Sequence, residues 1–375
     1  MSFPTSRRRF LTGALSLAAL VPAGLTLTGC PSSGGGDTAS ATAGGTTGAA
    51  PTPGAAPSGG GRKIKAGLVT DVGGVNDRSF NTMANEGLKQ AEKQLGADIK
   101  VQESKAAGDY TTNLSRFAQA GYDVVFAVGF KMQDALKDVA PRFPKVKFAI
   151  IDGDAPDLPN CVAYKFREEQ GSYLAGALAG AMTKTGTVGF IGGEEMPLIE
   201  KFEVGYKAGV QTTNPKAKVV VGYVGAFNDP QKGQELALSQ MGSAKADILY
   251  HAAGESGVGV IKAVQERGEG YYAIGVDKDQ DDEAPGRVLT SMVKRVDVAV
   301  FQVCQAVATD AFKPGTVTVG LDESGVGLSE MKHTKDDVPA EVLAKIDALR
   351  TQIIEGKLKP PITRAELAAF KVPAP

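Results

Sequence analysis

Short apolar runs alternate with longer amphipathic segments along most of the chain. The runs are brief and rich in branched residues, which is typical of buried strands. They cover residues 64–70, 124–128, 148–151, 187–191, 219–224, 248–250 and 271–276. Between them, apolar side chains recur every three or four residues, as in the segment 79–95, which predicts helices with one buried face. Strands that alternate with helices in this way predict parallel α/β sheets.

This alternation occurs twice, and 375 residues exceed one ordinary core. The first series ends near Phe166, and a helix of small residues at 168–183 opens the second. We therefore expect two doubly wound parallel-sheet lobes joined by a hinge, as in type I periplasmic binding proteins. The N-terminal lobe is expected to comprise residues 63–166 and about 288–315, with the strand 288–293 returning to it. The C-terminal lobe is expected to comprise 167–287 and about 316–375.

Polar and glycine residues follow the predicted strands. Examples are Asp71, Phe130 after Gly129, Asp152, Gly254 and Asp277. Open α/β sheets bind ligands at the carboxyl ends of their strands, so these positions predict a cleft in which both lobes contact one ligand.

The most distinctive segment is the glycine-rich turn 71–81. Its acceptors, amide and aromatic ring are supplied by Asp71, Asn76, Asp77 and Phe80. Acceptors beside an aromatic ring favour a planar heterocycle or a sugar, whereas a phosphate would want basic side chains or clustered N–H donors. The alternative is structural: Asp77 or Ser79 caps the following helix and Phe80 belongs to the core.

The same turn, D-x-G-G-x-N-D-x-S-F-N, resembles the opening motif of the basic membrane protein (BMP) family, lipoprotein receptors that capture purine nucleosides for ABC-type importers. Further similar motifs are G-F-I-G-G-x-x-x-P-x-I-x-x-F-x-x-G-Y-x-A-G at 189–209, A-A-G-x-S-G-x-G-V at 252–260, G-V-D-x-D-Q at 275–280 and A-P-G-x-V-L-T-S-M-x-K-x-V-D-V-A-V at 284–300. The resemblance covers nearly all of residues 63–375.

The resemblance implies roles for individual residues. Phe80 and Phe202 match the family's two aromatic rings that sandwich the purine, and Asp277 matches its ribose-binding aspartate. Asp152 is expected to bind the base, and Lys294 matches a lysine that reaches the ligand. The residues alone leave alternatives open, because Phe202 also fits core packing, Asp152 also fits a strand-end cap, and Lys294 by itself predicts a surface lysine.

Two points of the site stay undecided. Which of Asp71, Asn76 and Asp77 contacts the base depends on the geometry of the turn. The segment that begins at Gly254 lacks the pattern of a phosphate loop or a dinucleotide site, and Glu255 stands where the family more often has Asn or Lys.

Residues 1–30 are typical of an export signal, with a basic start, an apolar run and a lipobox-like L-T-G-C that ends at Cys30. The segment 6–11 fits twin-arginine export, although adjacent arginines also serve as an ordinary basic start. An uncleaved membrane helix is the weaker interpretation, because glycine and proline interrupt the run. Residues 31–62 are predicted to be a disordered tether of roughly 30 Å reach. We therefore expect lipidation at Cys30 and a lipid anchor on the outer side of the cell membrane.

Composition excludes several other functions. A net charge of −1 provides no electrostatic reason to bind nucleic acid. His251 and His333 are the only histidines in the sequence and no zinc-type spacing occurs, so we expect no metal site and no cofactor. Cys161 and Cys304 lie in apolar surroundings and are expected to be buried free thiols, although export makes a disulfide possible.

The leading hypothesis is a non-catalytic, lipid-anchored receptor. It captures adenosine, guanosine or inosine and delivers it to an ABC permease driven by a separate ATPase. Two alternatives remain: a nucleoside-cleaving enzyme that uses Asp71, Asp77 and Asp152, and a surface receptor for a sugar or a signalling molecule.

Overall fold

The computed structural model describes residues 61–372, which contain two six-stranded sheets. The strands are β1 (Lys65–Thr70), β2 (Asp98–Gln102), β3 (Val124–Val128), β4 (Lys147–Ile151), β5 (Cys161–Phe166), β6 (Thr187–Gly192), β7 (Lys218–Tyr223), β8 (Ile248–Ala252), β9 (Tyr272–Asp277), β10 (Val288–Lys294), β11 (Gly315–Val319) and β12 (Val326–Leu328). All seven strands that the apolar runs predict are present.

The first sheet has the strand order β11-β5-β4-β3-β1-β2, and all its neighbours are parallel. The second sheet has the order β12-β10-β9-β8-β6-β7, in which only the short β12 is antiparallel to its neighbour. We call the sheets with their helices the first and the second lobe. Two parallel-sheet α/β lobes confirm the predicted fold class.

The helices are α1 (Phe80–Leu95), α2 (Tyr110–Gln119), α3 (Gln133–Val139), α4 (Glu168–Met182), α5 (Pro197–Thr213), α6 (Pro230–Gly242), α7 (Ser256–Arg267), α8 (Val296–Ala308), α9 (Ala340–Ile354) and α10 (Arg364–Ala369). Helices α1, α2, α3 and α8 pack in the first lobe, and the other six pack in the second. Helix α8 lies in the part of the chain, about 288–315, that was expected in the first lobe, and it packs there against α1.

Two strand assignments were wrong. The strand at 288–293, expected in the first lobe, is β10 of the second sheet, where it pairs with β9. The strand near 316–319, expected in the second lobe, is β11 of the first sheet, where it pairs with β5. Burial explains both positions: six of the seven residues of β10 are buried, as in an interior strand, whereas β11 is exposed along most of its length, as at an edge.

The chain crosses between the lobes three times. Arg167 joins β5 to α4, Arg295 joins β10 to α8, and the segment 320–325 joins β11 to β12. The crossings are hydrogen-bonded to one another, because the amide of Arg167 donates to Val319 O at 2.9 Å and that of Arg295 donates to Gly325 O at 2.9 Å. The three crossings therefore form one hinge.

Helices α4 and α5 pack closely enough for their backbones to touch. A Cβ added to Gly209 of α5 would lie 2.0 Å from the carbonyl oxygen of Tyr173, and one added to Gly176 of α4 would lie 2.0 Å from that of Tyr206. Since no real Cβ approaches that closely, glycine at these positions sets the distance between the helices.

Several predictions concern residues outside the described range. The export signal, Cys30 and nearly all of the tether precede residue 61. Arg62, the last residue of the predicted tether, contacts the first lobe through an ion pair with Asp123 at 2.6 Å and a hydrogen bond to Ala308 O at 2.9 Å.

Cys161 and Cys304 are buried free thiols, as expected. Within residues 61–372, none of the helices combines the length and apolar character needed to span a bilayer.

The glycine contact between α4 and α5 makes a testable prediction. Replacing Gly209 with alanine forces the two helices apart, and overpacking of this kind typically destabilises by about 1 to 3 kcal/mol. Gly242→Ala is the matched control, because a Cβ at the end of α6 meets nothing within 4 Å. Urea unfolding is expected to show a lower midpoint for Gly209→Ala and an unchanged or higher one for Gly242→Ala. Equal midpoints in the two variants would refute the close-packing argument.

Candidate functional site

Hydrogen bonds fix the conformation of the turn after β1. Gly73 N donates to Asp71 Oδ1 at 3.0 Å, and Val75 N donates to Glu103 Oε1 at 2.9 Å. Gly74 has a φ of 66°, a left-handed conformation that glycine adopts without strain. The turn thereby directs Asp71 toward the space between the lobes.

Asp77 performs the capping role that the sequence left as an alternative. Its Oδ1 accepts from Ser79 N at 3.0 Å and from Thr82 N at 2.9 Å, and its Oδ2 accepts from Asn81 N at 2.8 Å. Both carboxylate oxygens are thus occupied at the start of α1. Asn76 is exposed on the outside of the turn. Of the three undecided residues, Asp71 is left with an oxygen that these bonds do not use.

The cleft between the lobes contains a cavity of about 600 Å³, counting the space that opens to solvent. Nine of the ten predicted ligand-binding residues line it, and Asn76 does not. The lining residues are Asp71, Gly73, Asp77, Phe80, Asn81, Gly129, Phe130, Asp152, Leu198, Ile199, Phe202, Phe227, Ala252, Gly254, Glu255, Val276, Asp277 and Lys294.

Phe80 and Phe202 reach this cavity from different lobes. Phe80 begins α1 in the first lobe, and Phe202 lies on α5 in the second, where it is 3% exposed. Both rings face the ammonium of Lys294, which lies 5.3 Å from the centre of Phe80 and 5.5 Å from that of Phe202. Phe202 also packs in the hydrophobic core. It therefore fits both interpretations, as a core residue and as a residue of the cavity wall.

Lys294 is buried rather than exposed, which corrects the surface position that its sequence context predicts. Its ammonium pairs with Asp152 of the first lobe at 2.5 Å and with Glu168 of α4 at 3.1 Å, and the side chain is 1% exposed. Burial lowers the pKa of Lys294, but the attraction of these two carboxylates outweighs burial and raises it. The lysine therefore remains charged, as a buried cation with two anionic partners.

Asp152 directly follows β4 and Asp277 is the last residue of β9, with φ values of 65° and 63°. Asp152 Oδ2 is bound to Lys294, whereas its buried Oδ1 has no partner in the described part of the chain. Asp277 accepts a hydrogen bond of 2.5 Å from Ser79 Oγ of the first lobe. Burial raises the pKa of Asp152 to about 6 and that of Asp277 to about 7.

Three residues at the site were not predicted from the sequence. Asn81 donates to Asp71 Oδ1 at 2.8 Å, and its own Oδ1 is buried without a partner among residues 61–372. Phe227 lines the cavity opposite Phe130, with ring centres 6.4 Å apart in an edge-to-face arrangement. Glu168 pairs with Lys294 from the start of α4. Asn81 stands in the motif at 71–81, so it had a local signal in the sequence.

Contacts between the lobes close the cleft around the cavity. Lys278 of the second lobe pairs with Glu86 of α1 at 2.9 Å, and Gln280 Nε2 donates to the carbonyl oxygen of Arg78 at 3.1 Å. Lys131 of the first lobe forms an ion pair with Glu194 of the second. The structure is therefore a closed arrangement in which residues of both lobes face one cavity.

The cavity has a distinct chemical character. Five lining residues are acidic and one is basic. Its buried unpartnered oxygens, on Asp152 and Asn81, are acceptors. Such a site repels phosphate and suits a neutral molecule that has an apolar face and several N–H or O–H donors.

Comparison with known proteins agrees with this arrangement. The family described as "ABC transporter substrate-binding protein PnrA-like" matches residues 64–361. A CD4+ T-cell-stimulating antigen of Listeria monocytogenes is 39% identical over 316 residues, which cover 78% of this chain and 87% of that protein. The ABC transporter nucleoside-binding protein BmpA of Lactococcus lactis is 35% identical over 318 residues, covering 80% and 89%.

Solved structures show the same architecture. A solute-binding protein of an ABC transporter system from Aeropyrum pernix superposes with a TM-score of 0.76 at 29% identity, covering 82% of this chain and 96% of that one. The family match spans both lobes and every residue that lines the cavity. The chain therefore belongs to the basic membrane protein family of PnrA-like ABC transporter substrate-binding proteins.

Proposed function

We propose that this substrate-binding protein captures purine nucleosides between its lobes and delivers them to an ABC permease. One observation carries the proposal: Phe80 and Phe202, from opposite lobes, flank a cavity whose buried oxygens on Asp152 and Asn81 lack partners in the described chain. A purine offers two flat faces to the rings, and its N–H donors, an amino group in adenosine and guanosine and the ring N–H in guanosine and inosine, can supply the missing hydrogen bonds.

Asp277 is proposed to bind the ribose. Its carboxylate ends β9 at the cavity and has a single hydrogen-bond donor, Ser79, among residues 61–372. The remaining acceptor capacity suits vicinal hydroxyls, and hydrogen bonds to a charged group contribute about 1.5 to 3 kcal/mol each. Asp71 is proposed to contact the base from the first lobe, since Asp77 is occupied as a helix cap.

Binding without catalysis is the simplest account of this arrangement. Asp152 and Asp277 approach the cavity from different sheets, and contacts between the lobes bring them together. A ligand that contacts both lobes favours the closed arrangement over the open one. The related proteins are named as substrate-binding and nucleoside-binding proteins.

The amino-terminal features complete the proposal. An export signal that ends at Cys30, followed by a tether, suits a receptor anchored by lipid on the outer side of the cell membrane. In that position the protein presents its ligand to a permease, which a separate ATPase drives. This part of the proposal rests on the sequence alone.

A thermal-shift panel tests the ligand class. We expect adenosine, guanosine and inosine to raise the melting temperature more than cytidine, adenine or ribose do. A ligand at 100 times its Kd stabilises the folded state by about 2.7 kcal/mol, so at equal concentration the ligand with the lowest Kd gives the largest shift. A shift with ribose or galactose and none with any nucleoside would overturn the purine assignment in favour of a sugar receptor. Release of free base from adenosine, followed by chromatography, would instead establish an enzyme.

The role of Asp277 is tested by comparing a nucleoside with its base. We expect Asp277→Asn to weaken adenosine about tenfold or more and adenine by less than about threefold, since only adenosine carries the hydroxyls. Phe202→Leu is the matched variant, and it is expected to weaken both ligands alike through lost stacking. Isothermal titration calorimetry measures all four affinities. Equal losses of adenosine and adenine in Asp277→Asn would contradict the ribose role.

The raised pKa of Asp277 also predicts how binding depends on pH. Hydroxyl donors favour the ionised carboxylate, so bound adenosine lowers the pKa of Asp277, which burial raises to about 7. Adenosine affinity should therefore fall as the pH drops below 7, and binding near pH 7 should release protons. Calorimetry in buffers of different ionisation enthalpy measures this release.

The Asp277→Asn variant identifies the group responsible for this pH dependence. The Asp277→Asn variant should lose the step near pH 7 and keep any lower step due to Asp152, whose pKa is about 6. A proton release that persists unchanged in Asp277→Asn would assign the titration to a different group.

A further inference from the structure

The last described segment of the chain lies outside the region that matches the family. The match ends at residue 361, and residues 362–372, which we call the C-terminal strap, include α10. The strap packs on α5, the helix that carries Phe202. Its own fold is fixed locally, because Thr363 Oγ1 accepts from Glu366 N at 3.1 Å and Glu366 Oε2 accepts from Ile362 N at 2.9 Å. The strap therefore has a defined local structure.

Arg364 connects the strap to α5 and to the loop before it. Its backbone N–H donates to Glu200 Oε1 at 2.6 Å. Its guanidinium donates to Glu195 Oε1 at 2.7 Å, to Glu203 Oε2 at 2.8 Å and to Tyr223 OH at 3.2 Å. Arg364 therefore contacts the β6–α5 loop, the first two turns of α5 and the end of β7.

The contact between Arg364 and Glu203 is buried on the Glu203 side only, because the side chain of Arg364 is 47% exposed. The side chain of Glu203 is 2% exposed, and burial raises its pKa, but hydrogen bonds from Arg364, Lys207 and Tyr223 outweigh burial and lower it. Glu203 thus remains an anion inside the second lobe. Removing the guanidinium would leave a buried carboxylate with fewer donors, which a folded chain relieves by shifting the helix or protonating the acid.

The face of α5 that Arg364 contacts adjoins the face that lines the cavity. Glu200 and Glu203 each follow directly a residue that lines the cavity, Ile199 and Phe202 respectively. Successive residues on a helix are 100° apart, so a small rotation of α5 moves both faces together. The close contact of Gly209 with α4 lies in the C-terminal half of α5, whereas the residues that Arg364 contacts lie in its first two turns, beside Phe202.

The same clamp reaches the contact between the lobes. Glu195 is held by Arg364, and its neighbour Glu194 forms the ion pair with Lys131 of the first lobe. Lys131 in turn lies 5.6 Å from the ring centre of Phe227 in the cavity wall. Displacing the loop at Glu195 would therefore disturb one of the contacts that close the cleft.

We propose that Arg364 is a positioning residue for the ligand cavity: by clamping Glu195, Glu200 and Glu203 it holds α5 in the rotation that presents Phe202 to the ligand. The effect on ligand affinity rests on the proposed nucleoside function, whereas the effect on Phe202 itself does not. Arg364 would then support ligand binding although it contributes no atom to the cavity lining.

Three variants test the role of Arg364 in binding. Arg364→Met removes the donors while keeping an extended side chain, and Arg364→Lys keeps the charge with fewer contacts. Lys371→Met is the matched control, because Lys371 is an exposed cation of the same strap with no ion pair in the described chain. Affinities for adenosine and adenine are measured by calorimetry well below each melting temperature.

We expect Arg364→Met to weaken adenosine and adenine alike by about two- to tenfold, the range that loss of one aromatic stacking face spans. Arg364→Lys should be intermediate, and Lys371→Met should lie within about twofold of the native protein. If Arg364→Met keeps native affinities and only lowers the melting temperature, the strap does no more than stabilise the fold, and the proposal is overturned. If Arg364→Met does not fold, native affinity in Arg364→Lys would overturn it equally.

A second measurement needs no ligand. The sequence contains no tryptophan, so Phe202→Trp introduces a single fluorophore at the cavity wall. In that background Arg364→Met should increase the quenching of the tryptophan by acrylamide, and Lys371→Met should leave it unchanged. Unchanged quenching in both would overturn the positioning role. A native protein that binds no nucleoside would refute the proposed function, while the quenching result would still decide the role of Arg364.

Discussion

The buried ion pair between Lys294 and Asp152 joins the two lobes beside the cavity. A charged group inside a protein is tolerated only when a partner compensates its lost hydration, and separating such a pair is strongly unfavourable. Lys294 belongs to the second sheet and Asp152 to the first, so opening the cleft separates them. Glu168, at the start of α4, remains beside Lys294 in the second lobe. The lysine therefore has one partner within its own lobe and one that it gains when the lobes close.

This ion pair lies next to the hinge. Lys294 immediately precedes the crossing residue Arg295, and Glu168 immediately follows the crossing residue Arg167. The charged residues of this buried group are thus adjacent in sequence to the segments that must bend when the lobes move. A ligand that donates to Asp152 Oδ1 would act on the same carboxylate whose Oδ2 binds Lys294, which would couple occupancy of the cavity to closure of the lobes.

Much of the site was predictable because it is local. The turn 71–81, the aspartates that end β4 and β9, and the aromatic start of α1 are short segments whose position follows from the alternation of strands and helices. What failed was the placement of the last strands. A parallel strand can pair with either sheet when its sequence is apolar, and β10 and β11 differ chiefly in how deeply they are buried, which depends on their neighbours. The burial of Lys294 could not be predicted from its sequence neighbours for the same reason, since a lysine is buried only where distant acids are assembled around it.

The sequence by itself determined the two-lobed α/β architecture, the family and nine of the residues that line the cavity. Periodicity, turn chemistry and strand ends are properties of neighbouring residues, so they can be read along the chain. The tertiary structure alone decided that Asp77 caps a helix, that Lys294 is enclosed by acids from both lobes, and that Arg364 clamps the helix of Phe202. These outcomes depend on hydrogen bonds and ion pairs whose partners the fold brings together, and on the free energy of burying each charge in that setting.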